Sequence, residues 1–325
     1  MLIGVVTPAY NAHETIDAAI ASVQAQSHTG WRMVVVDDGS TDGTADRVRA
    51  ATDARVSLIR QAHGGVSAAR NRGLRALRVE AYLFLDADDT LTPHAMALLS
   101  RTLESCPWAA AAVGAYRFVG GTGPARRTRR PRGGDLLPAL LQRNCFVNGG
   151  HLLVRAEAVH TIGGFDPALR FGEDWEFWVR VALLGHFVAV PSRTPLLHVR
   201  QRPDGAYARL AADPAAYRSC LAAIYGNPAI AAHVPADRRA RLAQRADAEA
   251  RWVIGRELIR HGRGAEGASW LRQSVALAPT PRRLAALAVA PLLARLPPAC
   301  RGALRPYAAA ARPPATIGAE IAANR

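Results

Sequence analysis

The 325-residue chain contains no lysine: all 41 of its basic residues are Arg, set against 26 Asp and Glu for a formal charge of +15. A GC-rich genome would give the same usage, since guanidinium and ammonium exchange freely at most solvated positions, though not at bidentate ones. Cysteine is scarce. Cys106, Cys145, Cys220 and Cys300 lie far apart with no CxxC pair, which indicates neither a zinc site nor a disulfide framework and suits a reducing, cytoplasmic compartment. The longest Ala/Leu-rich stretch, Leu284–Ala294, is much shorter than the roughly 20 apolar residues a membrane span needs. The first residues read as a strand, Met1–Thr7, without the basic start, apolar stretch and cleavage site of a signal peptide. Aromatics make up 6% of the chain and do not interleave with the basic residues, which argues against a nucleic-acid-binding module.

The charge is uneven. Residues 1–100 carry −2, residues 101–210 carry +7 and residues 211–325 carry +10. From composition alone such an excess suits nucleic acid, anionic lipid headgroups or phosphorylated substrates. The acidic third is also the third with the clearest pattern. Four β-type runs, Leu2–Thr7, Met33–Asp37, Val56–Arg60 and Tyr82–Leu85, alternate with helical patterns near Thr15–Gln26, Thr44–Ala51, Val66–Leu77 and His94–Ser105. That alternation predicts parallel βαβ units, whose ligands collect outside the carboxyl ends of the strands.

Beyond residue 118 the pattern loosens. An Arg-rich loop over Gly120–Gly134, with five Arg between Arg126 and Arg132, precedes an expected helix at Leu136–Arg143, a strand at Leu152–Val154, a helix at Ala156–Thr161 and another from Glu173 to about Leu184. From Ala211 the chain reads as Ala/Arg/Leu helices with Pro breaks and no repeat period.

The chemistry-bearing residues gather at the strand ends. Asp86-Ala87-Asp88-Asp89 places three carboxylates after an apolar strand, where packing gives no reason for them and a hard cation, Mn²⁺ or Mg²⁺, would balance them together with diphosphate oxygens. A solvated loop with Asp89 or Thr90 capping the next helix is the structural alternative. Asp37-Asp38-Gly39-Ser40 could offer a carboxylate to a ribose hydroxyl or base N–H, or could be a plain turn. Glu173-Asp174 could supply a general base, or simply begin a helix where acids favour the macrodipole. Of Trp175 and Trp178, three apart on that helix, core packing suits Trp178 better than sugar stacking, and His151 is a weak candidate for any ligand role.

Five segments in register, VTPAYNA, VVVDDGSTDGT, GGVSAARNRGL, YLFLDADD and GGFDPALRFGEDWEFWVRVALLG, resemble the family 2 glycosyltransferases of bacterial type over about residues 1–200. The resemblance implies a GT-A fold, an α/β Rossmann-like and mostly parallel sheet with flanking helices, over residues 1–205. Within it, residues 1–118 would be the nucleotide-binding half and 135–205 the acceptor-binding half, with a helical C-terminal extension over 206–325. It implies an inverting transfer of a sugar from a nucleotide-diphosphate donor, first a UDP-sugar, to an acceptor hydroxyl in cell-surface polysaccharide or glycolipid synthesis. A nucleotide-sugar-binding or nucleotidyltransferase relative without glycosyl transfer is the alternative.

By the same resemblance Pro8, Tyr10, Asn11, Asp38, Arg70, Asn71 and Asp86 would bind the nucleotide, and Asp88 the metal. Asp174 would be the catalytic base, and Gly150, Glu173 and Trp175 would meet the acceptor. Arg200 would bind the diphosphate; where relatives carry a Tyr-Arg pair and a following His, this chain reads Leu197-His198-Val199-Arg200-Gln201-Arg202, which leaves the His role open. Partners would be the donor and a sugar or lipid-linked acceptor. The basic C-terminal third, with Leu284–Arg305 as a candidate interfacial segment, suggests peripheral contact with anionic membrane at its inner face.

Overall fold

The computed structural model describes residues 1–120, 128–201 and 212–295. They fall into two compact units, one holding the described residues of Met1–Leu136 and Asn148–Arg202, the other those of Leu137–Val147 and Pro203–Arg325. Part of the Arg126–Arg132 cluster, Arg202, and residues 296–305 of the candidate interfacial segment lie outside the described residues.

The first unit is built on a seven-stranded sheet. Its strands are β1 (Ile3–Ala9), β2 (Trp31–Asp37), β3 (Val56–Arg60), β4 (Ala81–Phe84), β6 (Ala109–Val113), β8 (Leu152–Arg155) and β9 (His186–Ala189), in spatial order β3-β2-β1-β4-β8-β6-β9. All neighbours run parallel except β8, which is antiparallel to both β4 and β6. A smaller sheet joins β5 (Thr90–Leu91), β10 (Leu197–Arg200) and β7 (Tyr116–Val119), with β10 in the middle.

Strands covered on both faces are largely apolar, which is why β1, β2 and β4 read as hydrophobic runs. The helices each offer the sheet one stripe. In α1 (Ile16–Gln24) it is Ile16, Ala19, Ile20 and Val23, at the i, i+3, i+4, i+7 spacing of an amphipathic helix. In α3 (Val66–Ala76) it includes Ser67, Ala69, Arg70, Gly73 and Leu74, so a guanidinium lies on the buried face. Gly73 lets that helix close on the sheet, because a Cβ there would come within 2.5 Å of Val6 Cγ1. The remaining helices of this unit are α2 (Thr44–Ala50), α4 (Ala95–Glu104), α6 (Ala156–Ile162) and α7 (Glu173–Leu184).

The second unit is helical. It contains α5 (Leu137–Leu140), α8 (Tyr217–Gly226), α9 (Pro228–His233), α10 (Ala236–Arg260), α11 (Gly264–Leu277) and α12 (Pro281–Arg295). The expected helix at Leu136–Arg143 is thus a single turn. α10 and α11 form a helical hairpin whose backbones touch: a Cβ on Gly267 would lie 2.5 Å from Gly255 O, and one on Gly255 2.8 Å from Gly267 O. Leu271 packs against Gly255 and Ile259 against Gly267. Among the described residues no helix is long and apolar enough to cross a membrane.

Candidate functional site

The loops at the carboxyl ends of β1 and β2 interlock. After β1, Asn11 adopts a left-handed backbone (φ 48°), its N–H donates to Ser40 Oγ at 3.0 Å, and its side-chain oxygen accepts from Thr41 N at 3.0 Å. Pro8, next to last in that strand, is half-buried, and Tyr10 just beyond its end is 51% exposed. After β2, the buried Asp37 carboxylate accepts from Ser40 N at 2.9 Å and from Arg60 Nε at 2.8 Å, which fixes the turn. Asp38 is buried as well, and its carboxylate faces the 61–65 loop rather than solvent: it accepts from Gln61 Nε2 at 2.7 Å, Gly64 N at 2.9 Å and Gly65 N at 2.8 Å.

Arg70 occupies the centre. Its Nη2 donates to Asp86 Oδ1 at 2.9 Å and its Nη1 to Glu173 Oε1, 103 residues further along the chain, at 3.1 Å, joining the loop after β4 to the start of α7. The side chain is 5% exposed. Burial works against its charge, but Asp86, Glu173 and Asp174 together more than offset that and hold its pKa above the ordinary Arg value. Asn71, next in the helix, exchanges a pair of hydrogen bonds with the main chain of Phe165, Nδ2 to Phe165 O at 2.7 Å and Phe165 N to Oδ1 at 2.8 Å. Its amide therefore spends one N–H and one oxygen lone pair on the Gly163-Gly164-Phe165 turn. Gly164, at φ 87°, is the residue this contact demands, since a Cβ would sit 2.5 Å from Asn71 Oδ1.

Asp89 does not cap a helix. The next helix, α4, begins at Ala95 with His94 in the capping position, and Asp89 is buried, accepting from the main-chain N–H of Arg200 at 2.8 Å and from the Asn148 side-chain amide. Its carboxyl is pushed well above the usual range, first by burial and then by the charges of Asp86 and Asp88, against the pull of those two donors. Three carboxylates thus crowd one another at the end of β4. Among the described residues no three His, Cys, Asp or Glu side chains converge as a ligand set. A cation held here would have one or two protein carboxylates and take its other ligands from diphosphate or water, the arrangement typical of Mg²⁺ sites on phosphates. The crowded negative charge fits such an ion.

Asp89 also brings Arg200 to this edge, with its side chain exposed at the end of β10. His198, two residues earlier, lies with Nε2 3.3 Å from Arg117 Nη2; burial, then that guanidinium, holds its pKa below the ordinary value. At the other edge Gly172 takes a left-handed φ of 77° and sends the chain into α7, with Glu173 and Asp174 in the first turn. Asp174 is half-buried and its Oδ1 accepts from Trp175 N at 2.7 Å.

Four residues sit away from any open surface. Gly150 is buried, with Leu197 Cδ1 2.9 Å from where a Cβ would be, so close packing requires a glycine there. Trp178 is fully buried against Phe177, as core packing predicts, and Trp175 is 7% exposed, a floor rather than an open stacking face. His151 is fully buried with Nδ1 2.9 Å from Gly114 O, and burial lowers its pKa to about 4. It belongs to the core.

Residues 4–163 match the family model described as glycosyl transferase family 2. The succinoglycan biosynthesis protein ExoO of Rhizobium meliloti (strain 1021) is 32% identical over 236 residues, covering 66% of this chain and 67% of ExoO. The chain is a family 2 glycosyltransferase. Escherichia coli WfgD, a UDP-Glc:alpha-D-GlcNAc-diphosphoundecaprenol beta-1,3-glucosyltransferase, is 37% identical over 89 residues, 27% of this chain and 35% of WfgD. This chain thus aligns with about a third of that relative's length. Among solved structures, S. aureus TarS 1-349 in complex with UDP-GlcNAc superposes with a TM-score of 0.63 at 18% identity, over 91% of this chain and 87% of that one. The mannosyltransferase PcManGT from Pyrobaculum calidifontis, in complex with GDP-Man and Mn²⁺, gives 0.53 at 20% identity, over 93% and 84%. The fold is GT-A.

Proposed function

We propose that this glycosyltransferase is inverting and moves a sugar from a nucleotide-diphosphate donor, a UDP-sugar first among them, to an acceptor hydroxyl in cell-surface polysaccharide or glycolipid synthesis. The observation that carries this is the double engagement of Arg70 with Asp86 and Glu173, which gathers the carboxylates suited to a donor's cation and the carboxylate suited to an acceptor's proton around one buried positive charge. Leaving-group chemistry and attacking-group chemistry need to be that close for an in-line displacement.

Pro8, Tyr10 and Asn11 form the nucleoside wall, with Asp38 behind it. Asp88, with Asp86, would hold a divalent metal, Mn²⁺ or Mg²⁺, which when bound neutralises charge developing on the departing diphosphate. Arg200 offers that diphosphate a guanidinium fork. Asp174 takes the acceptor's proton as its oxygen attacks, a step for which an ordinary carboxylate suffices because the hydroxyl becomes acidic only during attack. Glu173 steadies Asp174 through Arg70, and Trp175 closes the floor beneath it. PcManGT holds Mn²⁺ with GDP-Man, TarS binds UDP-GlcNAc, and ExoO is a succinoglycan biosynthesis protein; all three support this assignment.

Supplied with Mn²⁺, a panel of nucleotide sugars and a lipid-linked sugar acceptor, the protein is expected to release nucleoside diphosphate and form a linkage of anomeric configuration opposite to the donor's, read by NMR of the product. Retained configuration would contradict the in-line scheme, and binding without transfer would favour the non-transferring alternative.

We place the protein in the cytoplasm, peripheral at the inner face of the plasma membrane. In α12 Leu284, Ala288 and Leu292 follow at i, i+4, i+8, flanked by Ala285 and Val289, and all five are exposed beside the exposed Arg282. An apolar stripe on a basic unit suits an anionic bilayer surface. Vesicles containing phosphatidylglycerol should pull down the wild type, zwitterionic vesicles should not, and Leu284→Asp with Leu292→Asp should abolish the binding. Equal recovery by the double variant would exclude α12 as the contact.

A further inference from the structure

One face of α10 carries Glu249, Trp252, Arg256 and Arg260 at i, i+3, i+7 and i+11, the spacing of a single helical stripe. The start of α12 meets it. Arg283 Nη2 lies 2.8 Å from Glu249 Oε2, and the guanidinium carbon of Arg282 stands 5.0 Å from the centroid of the buried Trp252 ring. The guanidinium carbon of Arg256 is 5.5 Å from the same ring, so two cations share one indole. Four guanidiniums thus gather around two carboxylates, Glu249 and Glu257, which are already in ion pairs with Arg283 and Arg260. Burial, then the charges of Arg282 and Arg260, hold the pKa of Arg256 below the ordinary Arg value against the pull of both glutamates. A guanidinium keeps its proton even so, and the excess of positive charge persists. The direction of α12 adds to it: the first turn of a helix is its positive end and favours acids, yet this one has no acid and carries Arg282 and Arg283. Glu249 offsets Arg283, whereas Arg282 is exposed and makes no ion pair among the described residues. Arg282 also stands in line with Ala285, Val289 and Leu292 at i, i+3, i+7 and i+10, all of them exposed.

We propose that Arg256 and Arg282, braced on Trp252, form a clamp for a phosphate group borne on a lipid, with the exposed apolar face of α12 turned to the bilayer beside it. This rests on the peripheral membrane contact proposed above and is independent of the donor site. A phosphate monoester presents three terminal oxygens, enough to accept from two guanidinium forks and from the N-terminal end of α12 together, whereas a carboxylate presents two. The shared indole holds both forks in place before the ligand arrives, which lowers the cost of ordering them. The apolar residues in line with Arg282 favour a phosphate carried on a lipid over a free one.

The test is co-sedimentation of the full chain with two sets of phosphatidylcholine vesicles, one containing phosphatidic acid and the other phosphatidylglycerol, brought to equal surface potential. Attraction to surface charge alone treats the two sets alike. The clamp should favour phosphatidic acid, a monoester, by about fivefold or more. Arg282→Lys keeps the charge but not the fork, and at an exposed position it leaves the fold intact. It should bind phosphatidylglycerol vesicles as the wild type does and lose the preference for phosphatidic acid, and Arg256→Lys should do the same. A preference undiminished in Arg282→Lys would overturn the clamp and leave the membrane contact standing. Failure of the folded wild type to sediment with either set would overturn both. Release of the wild type from phosphatidic acid by inorganic phosphate at the same concentration would make the ligand a free phosphate and overturn its assignment to a lipid.

Discussion

Replacing Asp174 by Asn should lower turnover by about 10²- to 10⁴-fold, the usual contribution of a positioned general base, while the Kd for the nucleotide diphosphate changes less than about twofold. Asn preserves the shape of Asp174 and can still accept the Trp175 N–H that fixes its rotamer, so the start of α7 should stay as it is. What is lost is the capacity to take a proton. Arg70 keeps both of its direct partners, Asp86 and Glu173, so the buried charge remains paired. Steady-state kinetics together with nucleotide titration separates the two effects. A variant with full turnover would move the base to another carboxylate.

Arg70→Met should destabilise the first unit by about 3 kcal/mol, toward the lower end of the range for removing one partner of a buried ion pair. The lower end applies because Asp86 is 29% exposed and recovers some hydration once unpaired, whereas Glu173, at 15%, recovers less. The same change leaves Asp86 without its guanidinium partner, so metal-dependent nucleotide binding should weaken along with stability. Arg70→Lys should fall between, since one ammonium can meet either carboxylate but does not span both as a guanidinium fork does. Thermal unfolding of the three proteins checks the order; a Met variant as stable as wild type would mean that the ion pairs contribute nothing to the fold.

Much of this site was legible because carboxylates, Gly and Asn at the ends of apolar strands have no packing reason to be there. The position of Arg70 on the inner face of α3 was also recoverable, since Ala69, Gly73 and Leu74 around it mark that face at helical spacing. What Arg70 touches was not, because Glu173 lies 103 residues away. Separation in sequence likewise hid the true partners of Asp89, Asn148 and Arg200, and made a helix cap look reasonable. It also hid the commitment of Asn71 to Phe165 and of Asp38 to the 61–65 loop.

In the fold, β6 escaped detection because Ala109-Ala110-Ala111-Ala112 has the composition of a helix. Only burial on both faces between β8 and β9 makes it a strand. The two residues of β5 and the four of β7 and of β10 are too short for periodicity to register.

The most direct test of the central claim is calorimetric titration of UDP, GDP and dTDP into the wild type and Asp88→Ala, each with Mn²⁺ and again with chelator. One nucleotide should bind the wild type only when metal is present, and Asp88→Ala should abolish that binding. If none of the three binds the folded wild type with Mn²⁺ present, the donor site and the transfer built on it are contradicted.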